Sequence, residues 1–397
     1  MRLAPLVIAA MVLLSGCISW PFGSTTREGF SQSDLTVPGT HVYSFPLQNK
    51  PDDTLGITPS HPYRLSVTLS PVYVNYGGVI RIELENTGVN DLFVYNYGLE
   101  LGTATSTWRE DDRGLYVPSG QSRTAYFAFA APGQPGSYAN YRLSVSTMAN
   151  NAGSILPYPE SRWHDNGADV YTSKEFTNFS AIRVQPYNSS SSYSVSRNYY
   201  HHYDRINDLV KPHVPAILNA VGPVTAPFGT GYNIFKTCAI FDYLQENLEY
   251  CPDPEDQDVW TSPTETLRRG CGDCEDYALL YAALAASIGG TARIYITDNP
   301  PRPGHAFAAV YIGQEARARQ VVEDLHAYYG TEYHVAVLED DLGVWLVADC
   351  LSSFYLGSLP VGGGVVGPPS SDPGRQYFYN WDFTQTSRLN IIDVLRG

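Results

Sequence analysis

The run Arg269-Gly270-Cys271-Gly272-Asp273-Cys274-Glu275-Asp276 places a thiol at the mouth of an apolar, alanine-rich segment. Beyond Tyr277 the apolar positions Tyr281, Leu284 and Ile288 recur at helical spacing, and Gly289-Gly290 punctuates the end. Cys274 is therefore expected in the first turn of a helix, where unpaired backbone N–H groups and the positive dipole end favour thiolate over thiol. A thiolate becomes a nucleophile when a base is near. Two residues downstream suit the supporting parts: His305 in Pro303-Gly304-His305-Ala306-Phe307, and Asp349 at the end of Val344-Trp345-Leu346-Val347-Ala348-Asp349.

An amide carbon is a poor electrophile, so its attack needs a thiolate, a proton donor for the departing amine and help for the oxyanion. Cys274 would attack, and His305 would carry the proton to the leaving group. Asp349 would fix the imidazole tautomer and stabilise its charge. The backbone N–H of Cys274 is one oxyanion donor. The second is left open, with Trp260 considered for it. Asp276, two residues after the thiol, is read as complementing the helix dipole, and Asp273 as an N-cap. Cys271-Gly272-Asp273-Cys274 also reads as C-x-x-C, a redox pair or half a zinc site. Redox versions follow a strand, whereas this one follows a capped helix, and no second C-x-x-C or spaced histidine pair completes a metal set. No cofactor and no metal are expected, since no acidic loop has the ligand spacing of an EF-hand.

In this order the three segments resemble the transglutaminase-like superfamily, a branch of the papain-like cysteine enzymes. Its motifs run Gly-x-Cys-x-Asp on a helix, His-Ala-Trp/Phe on a strand and Trp-x-x-x-Asp on the next strand. Gly272, Cys274 and Asp276 match the first, His305-Ala306-Phe307 the second, and Trp345 with Asp349 the third. Trp260-x-Ser262-Pro263-x-Glu265-Thr266-Leu267 is similar to the segment leading into the catalytic helix of prokaryotic members. The resemblance spans about residues 205–357. It implies a Cys274-His305-Asp349 triad and thiol acyl transfer. Water as acceptor gives a peptidase or amidase, and a lysine amine gives a crosslinking enzyme, with hydrolysis preferred. His305 and Asp349 lie further apart than the family usually has them. Gln314–Tyr329 reads as an inserted helix, with Ala316, Val321 or Val322, and Leu325 as its apolar positions. A competing reading is an inactive surface scaffold that binds peptides or cell-surface proteins.

These residues need elements to hold them. Ser262, Pro263 and Glu265 make a capping pattern for a short helix ending near Arg269. A longer helix is expected over about Tyr232–Leu248 and a helical start near Tyr203. Strands are expected at Thr291–Thr297, His305–Ile312, Tyr333–Leu338 and Val344–Ala348. Upstream, residues 61–149 alternate in the manner of short strands, with Tyr63, Leu65, Val67 and Leu69 on one face and glycine, proline and asparagine between runs. The expected class is α+β: an N-terminal immunoglobulin-like β-sandwich, then a papain-like, transglutaminase-like α+β domain. The expected division is a signal and anchor at 1–17, a flexible tether at 18–60 and the sandwich at 61–149. A linker at 150–202, the transglutaminase-like domain at 203–358, and a loop and tail at 359–397 follow.

The formal charge of −15 argues against a nucleic-acid partner bound through phosphates. Met1-Arg2, the apolar run Leu3–Leu14 and Leu14-Ser15-Gly16-Cys17 resemble a lipoprotein signal with Cys17 as the acylated residue; an ordinary secretory signal is the alternative. Either implies export. The expected location is thus the extracytoplasmic face of the membrane, lipid-anchored, with a peptide or protein substrate at the cell surface. Asn178-Phe179-Ser180 and Asn188-Ser189-Ser190 are glycosylation sequons. With Cys17 and Cys274 assigned, Cys238, Cys251, Cys271 and Cys350 remain. One helix separates Cys238 from Cys251 by about 20 Å, too far to bond. Cys251–Cys271 is the first choice and Cys271–Cys350 the rival.

Overall fold

The computed structural model describes residues 29–40, 62–74, 77–101, 105–129, 131, 134–150, 170–185, 193–255, 257–299, 302–353, 355–358, 364–365, 378–382 and 386–395. Residues 1–17 with Cys17, and the sequon at Asn188, lie outside them. Asn178 is exposed on a strand.

The N-terminal unit is a β-sandwich. Strands β1 (Tyr63–Leu69), β3 (Gly78–Asn86) and β6 (Ser122–Phe129) form one sheet in the order β1-β3-β6. The other contains β2 (Val72–Tyr73), β4 (Leu92–Leu101), β5 (Thr105–Val117), β7 (Tyr138–Asn150) and β8 (Val170–Gln185), ordered β2-β8-β7-β4-β5. Ile80, Ile82 and Leu84 alternate inward from β3 and meet Leu92, Val94, Phe127, Leu143 and Val145. That period of two fills the space between the sheets. At the turn after β3, Asn86 is fully buried; its side-chain amide donates to the carbonyls of Asn90 and Val117, and its Oδ1 accepts the Gly88 N–H. A side chain that satisfies a buried turn in this way fixes the chain reversal.

The C-terminal unit is one eight-stranded sheet with helices on one face. After β9 (Ser194–Arg197) come α1 (Tyr203–Leu209), α2 (Pro215–Thr225), α3 (Ile234–Asn247), β10 (Glu249–Tyr250), α4 (Pro263–Arg269), β11 (Cys271–Gly272) and α5 (Cys274–Ser287). Then follow β12 (Ala292–Asn299), β13 (Arg302–Gly313), α6 (Glu315–Tyr329), β14 (Val335–Asp340), β15 (Gly343–Ala348), β16 (Gly364–Val365), β17 (Phe378–Asp382) and β18 (Arg388–Asp393). The sheet order is β16-β17-β14-β15-β13-β12-β18-β9. Helix α5 is buried on every side from Glu275 to Ala286, and its five alanines let the sheet and the other helices close around it. Gly290 is needed at its end, because an added Cβ would sit 2.8 Å from the Ala285 carbonyl. The chain as a whole is α+β, with the sandwich preceding the unit built on the eight-stranded sheet.

Three segments read as connectors take part in the fold. From the region 18–60 assigned to a flexible tether, Phe30, Leu35 and Val37 pack on the sheet face opposite the helices, and Phe30 stacks on Trp345 at 5.8 Å. The Thr36 N–H donates to Thr291 Oγ1 and Arg317 donates to the Pro38 carbonyl. From the linker 150–202, β8 completes the sandwich and β9 edges the second sheet. From the tail 359–397, β18 lies inside that sheet, antiparallel to β12 and parallel to β9. The strap near Phe30, β9 and β18 hide in the sequence because each is short or polar and pairs with residues far along the chain, whereas β8 pairs with β7, the strand before it. Helix α6 is the expected insertion, but Ala318 rather than Ala316 takes its buried position, with Val321, Val322, Leu325 and Tyr329. The end of α6 carries the sandwich: Tyr126 meets Tyr329 edge-on at 4.9 Å, and the Ala128 N–H donates to Thr331 Oγ1. Among the described residues no helix is long and apolar enough to cross a membrane.

Candidate active site

Cys274 is the first residue of α5, with Asp273 at the N-cap position. The preceding helix α4 forms as its capping pattern requires. Ser262 accepts the Glu265 N–H at 3.3 Å, Pro263 opens the helix, and Gly270 ends it in the left-handed region at φ 69°. Strand β11 then pairs in parallel with β10, and Cys251 is bonded to Cys271 with Cα atoms 5.5 Å apart. The first-choice disulfide is therefore present, while Cys238 and Cys350 are buried free thiols. Because Cys271 is bonded to Cys251, the C-x-x-C is not a dithiol pair.

His305 stands on β13 and Asp349 just past the end of β15, which are neighbours in the sheet. The residues that α6 inserts between them loop away without parting the strands. His305 Nε2 lies 2.8 Å from Asp349 Oδ2. A buried carboxylate accepts, so Nε2 carries the proton and Nδ1 is the nitrogen able to exchange one. Asp349 also accepts the Ser352 N–H at 3.1 Å and the Ser352 hydroxyl. Burial alone would push Asp349 up; the charge of His305 and the hydrogen bonds from His305 and Ser352 outweigh it and hold the carboxyl below its ordinary value.

Cys274 and His305 line one cleft of about 700 Å³, together with Tyr199, Tyr200, Tyr250 and Trp260. Cys274 donates its thiol proton to Glu275 Oε2 at 3.1 Å. Burial pushes this thiol well up, the Glu275 charge and hydrogen bond add to that, and the Ala306 N–H pulls down. The helix dipole does not prevail here, because burial disfavours the thiolate and the neighbouring Glu275 and Asp273 add to that. Glu275 itself is pushed up to about 8, chiefly by burial, and Asp273 is raised by burial. The ligand oxygens of Asp253, Asp273 and Glu275 lie within 4.8 Å of one another, the donor type and spacing a hard cation takes. Trp260 lines this cleft, and its buried indole N–H has no hydrogen-bond partner among the described residues.

Cys274 and His305 are thus brought to one cleft, and Asp349 is brought to His305. Sequence reasoning passed over Ser352 and Glu275. Asp followed three residues later by Ser is a turn pattern that signals the first. For the second the only signal is adjacency to the thiol.

Residues 223–346 match the model of the transglutaminase-like superfamily. No curated protein matches the chain. Among solved structures, LapG from Legionella pneumophila is 16% identical over 42% of this chain and 75% of that one, with a TM-score of 0.24. A candidate cysteine protease from Cytophaga hutchinsonii is 14% identical over 64% of this chain and 76% of that one, at 0.22. A PapD-like domain of human CEP192 is 12% identical over 37% of this chain and all of that one, at 0.20.

Proposed function

We propose that the chain, whose residues 223–346 match the transglutaminase-like superfamily model, is a cysteine enzyme that cleaves or transfers the acyl group of an amide. Cys274 is the nucleophile, His305 the proton carrier and Asp349 its orienting partner. The observation that carries this reading is the His305 Nε2 to Asp349 Oδ2 contact of 2.8 Å beside the cleft that holds Cys274. Burial favours the protonated form of the resting thiol. As substrate enters, Nδ1 of His305 takes that proton while sulfur bonds to the amide carbon. The oxyanion receives hydrogen bonds from the Cys274 N–H and the Trp260 indole N–H. The C–N bond then breaks, the imidazolium returns its proton to the leaving amine, and a thioester remains. Water resolves the thioester in the preferred hydrolytic reading.

Incubation with a pool of synthetic peptides and a fluorescent primary amine tests this. New peptide termini that depend on Cys274 support hydrolysis, and amine-labelled peptides support transfer. Neither product, with Cys274→Ala indistinguishable from wild type, sinks the enzyme reading. In that case the second reading stands, a peptide-binding scaffold; the upward push on the Cys274 thiol is what favours it. Lipid anchoring through Cys17 at the extracytoplasmic face belongs to the same proposal and rests on the sequence of residues 1–17. Unchanged membrane association of Cys17→Ser would count against it.

A further inference from the structure

The segment Cys251–Ser262 forms one wall of the cleft, contributing Asp253, Gln257, Asp258 and Trp260. Its first residue is fixed twice, by the bond to Cys271 and by donation of the Cys251 N–H to the Gly272 carbonyl at 2.9 Å. Its far end is fixed by a residue of the catalytic helix. Asp276 Oδ1 accepts the backbone N–H of Thr261 at 2.8 Å, and both residues are buried, at 2% and 8% exposure. Gly272 leaves room for that carboxylate: a Cβ there would fall 2.6 Å from Asp276 Cβ and 2.9 Å from Asp276 Oδ2. Asp276 does not line the cleft. Two residues along a helix is about 200° of rotation, so the carboxylate lies behind the thiol and away from the reacting atoms. What it holds is the residue next to Trp260, which lines the cleft and whose indole N–H is buried with no partner among the described residues.

We propose that Asp276 is a positioning residue, which sets the Trp260 indole N–H against the oxyanion by clamping the Thr261 backbone to the helix that carries Cys274. This rests on the acyl-transfer reading and adds to it. The aspartate two positions after the thiol then serves the second oxyanion donor and not the thiol or the helix dipole. Nucleophile and oxyanion donor move as one body, because the same helix fixes both. A donor that is off by a fraction of an ångström loses much of its value in the transition state, whereas thiol reactivity towards a reagent that forms no oxyanion is unaffected.

Two reagents separate these effects. p-Nitrophenyl acetate acylates a thiol through a tetrahedral oxyanion, releasing p-nitrophenolate; iodoacetamide alkylates it by displacement of iodide, with no oxyanion. In the full chain, Asp276→Ala should slow acetylation of Cys274 by roughly tenfold to a hundredfold, while alkylation of Cys274 stays within about twofold of wild type. Asp276→Asn, which keeps the acceptor oxygen, should retain both rates. On a Trp260→Phe background the further cost of Asp276→Ala should be small, since coupled residues are non-additive. Asp276→Ser, too short to reach Thr261, repeats the test if the alanine variant folds poorly. Equal loss of both rates, no loss of acetylation, or full additivity with Trp260→Phe overturns the proposal. Hydrogen exchange reads the clamp without any chemistry: the Thr261 amide should lose protection in Asp276→Ala and keep it in Asp276→Asn. Unchanged protection overturns the clamp. A wild-type chain that is never acetylated at Cys274 while its Thr261 amide behaves as stated overturns the enzyme reading alone.

Discussion

Asp349 beside the cleft and Asp242 at the seam with the sandwich are two tucked-in carboxylates held in opposite ways. Asp349 faces His305, and the imidazole supplies both a hydrogen bond and a positive charge; the carboxyl is held below its ordinary value although burial works against it. Asp242 faces the hydroxyls of Tyr328 and Tyr329, at 2.8 and 3.3 Å, and is pushed up to about 7, chiefly by burial. Hydroxyls satisfy the lone pairs and leave the charge uncompensated. Arg81 and Glu246, the other charged groups that act on Asp242, pull in opposite directions. The contrast teaches that a tucked-in carboxylate is held ionised where a cation-forming side chain meets it, as His305 meets Asp349, and is pushed towards the protonated form where hydroxyls meet it, as at Asp242.

The sharpest way to break the contrast is to make Asp349 uncharged. Asp349→Asn keeps the shape, but its amide can present an N–H to the ring and favour the wrong tautomer. Acetylation of Cys274 should fall by about 10²- to 10⁴-fold, as third-residue changes do in triads. The stability effect follows the lowered value. Ionised Asp349 contributes above the unfolded carboxylate pKa, about 3.9, and that contribution is lost as pH falls through the folded value. The stability difference between Asn variant and wild type should therefore shrink below about pH 4 in denaturant titrations. A constant difference down to pH 2 would mean that Asp349 is not held by the histidine.

The two regions also differ in how they are fastened. The cleft wall is tied covalently, by a disulfide that spans 20 residues of sequence, whereas the seam has aromatic packing and hydrogen bonds. Cys271→Ala should lower stability by about 2–4 kcal/mol under oxidising conditions. The same substitution measured in reductant should cost far less, since wild type then lacks the bond as well. An equal cost in both would assign the effect to packing.

At the seam the sign is reversed. Protonated Asp242 is favoured in the folded state, so wild type loses stability as pH rises from the unfolded carboxylate pKa through about 7. Between pH 5 and 8, Asp242→Asn should gain on wild type by on the order of 2 kcal/mol, read from urea midpoints. A gap that does not move with pH would remove the distinction between the two carboxylates.

Much of the cleft was legible in the sequence, because its signals are local. The Ser262-Pro263-Glu265 cap, the apolar positions from Tyr277 and the strand leading to Asp349 each lie within a few residues; the cap and the strand form as expected, and the helix forms but is buried on every side and not along one stripe. Of the two pairings that the spacing left open, the structure holds the first choice, Cys251–Cys271. The parts not legible depend on distant pairing. Strand β9 is Ser194-Val195-Ser196-Arg197, with no apolar face to announce it, and it exists because β18 offers an open edge nearly two hundred residues on. The strap near Phe30 has three apolar residues among polar ones and is fixed by Trp345 and Thr291. Asp276 was read from its position near a helix start, where the dipole argument is sound; its partner Thr261 lies 15 residues back and is invisible to a pattern confined to the helix.

The central claim is that Cys274 forms an acyl thioester with the help of His305 and Asp349. The most direct measurement is acid-quenched mass spectrometry of the full chain after mixing with p-nitrophenyl acetate, with peptide mapping to locate the acetyl group. The account predicts one acetyl thioester on the peptide carrying Cys274, strongly slowed in His305→Ala and Asp349→Asn and absent in Cys274→Ala. Acetyl groups only on surface lysines or tyrosines, or a Cys274 thioester formed at the same rate without His305, would contradict it.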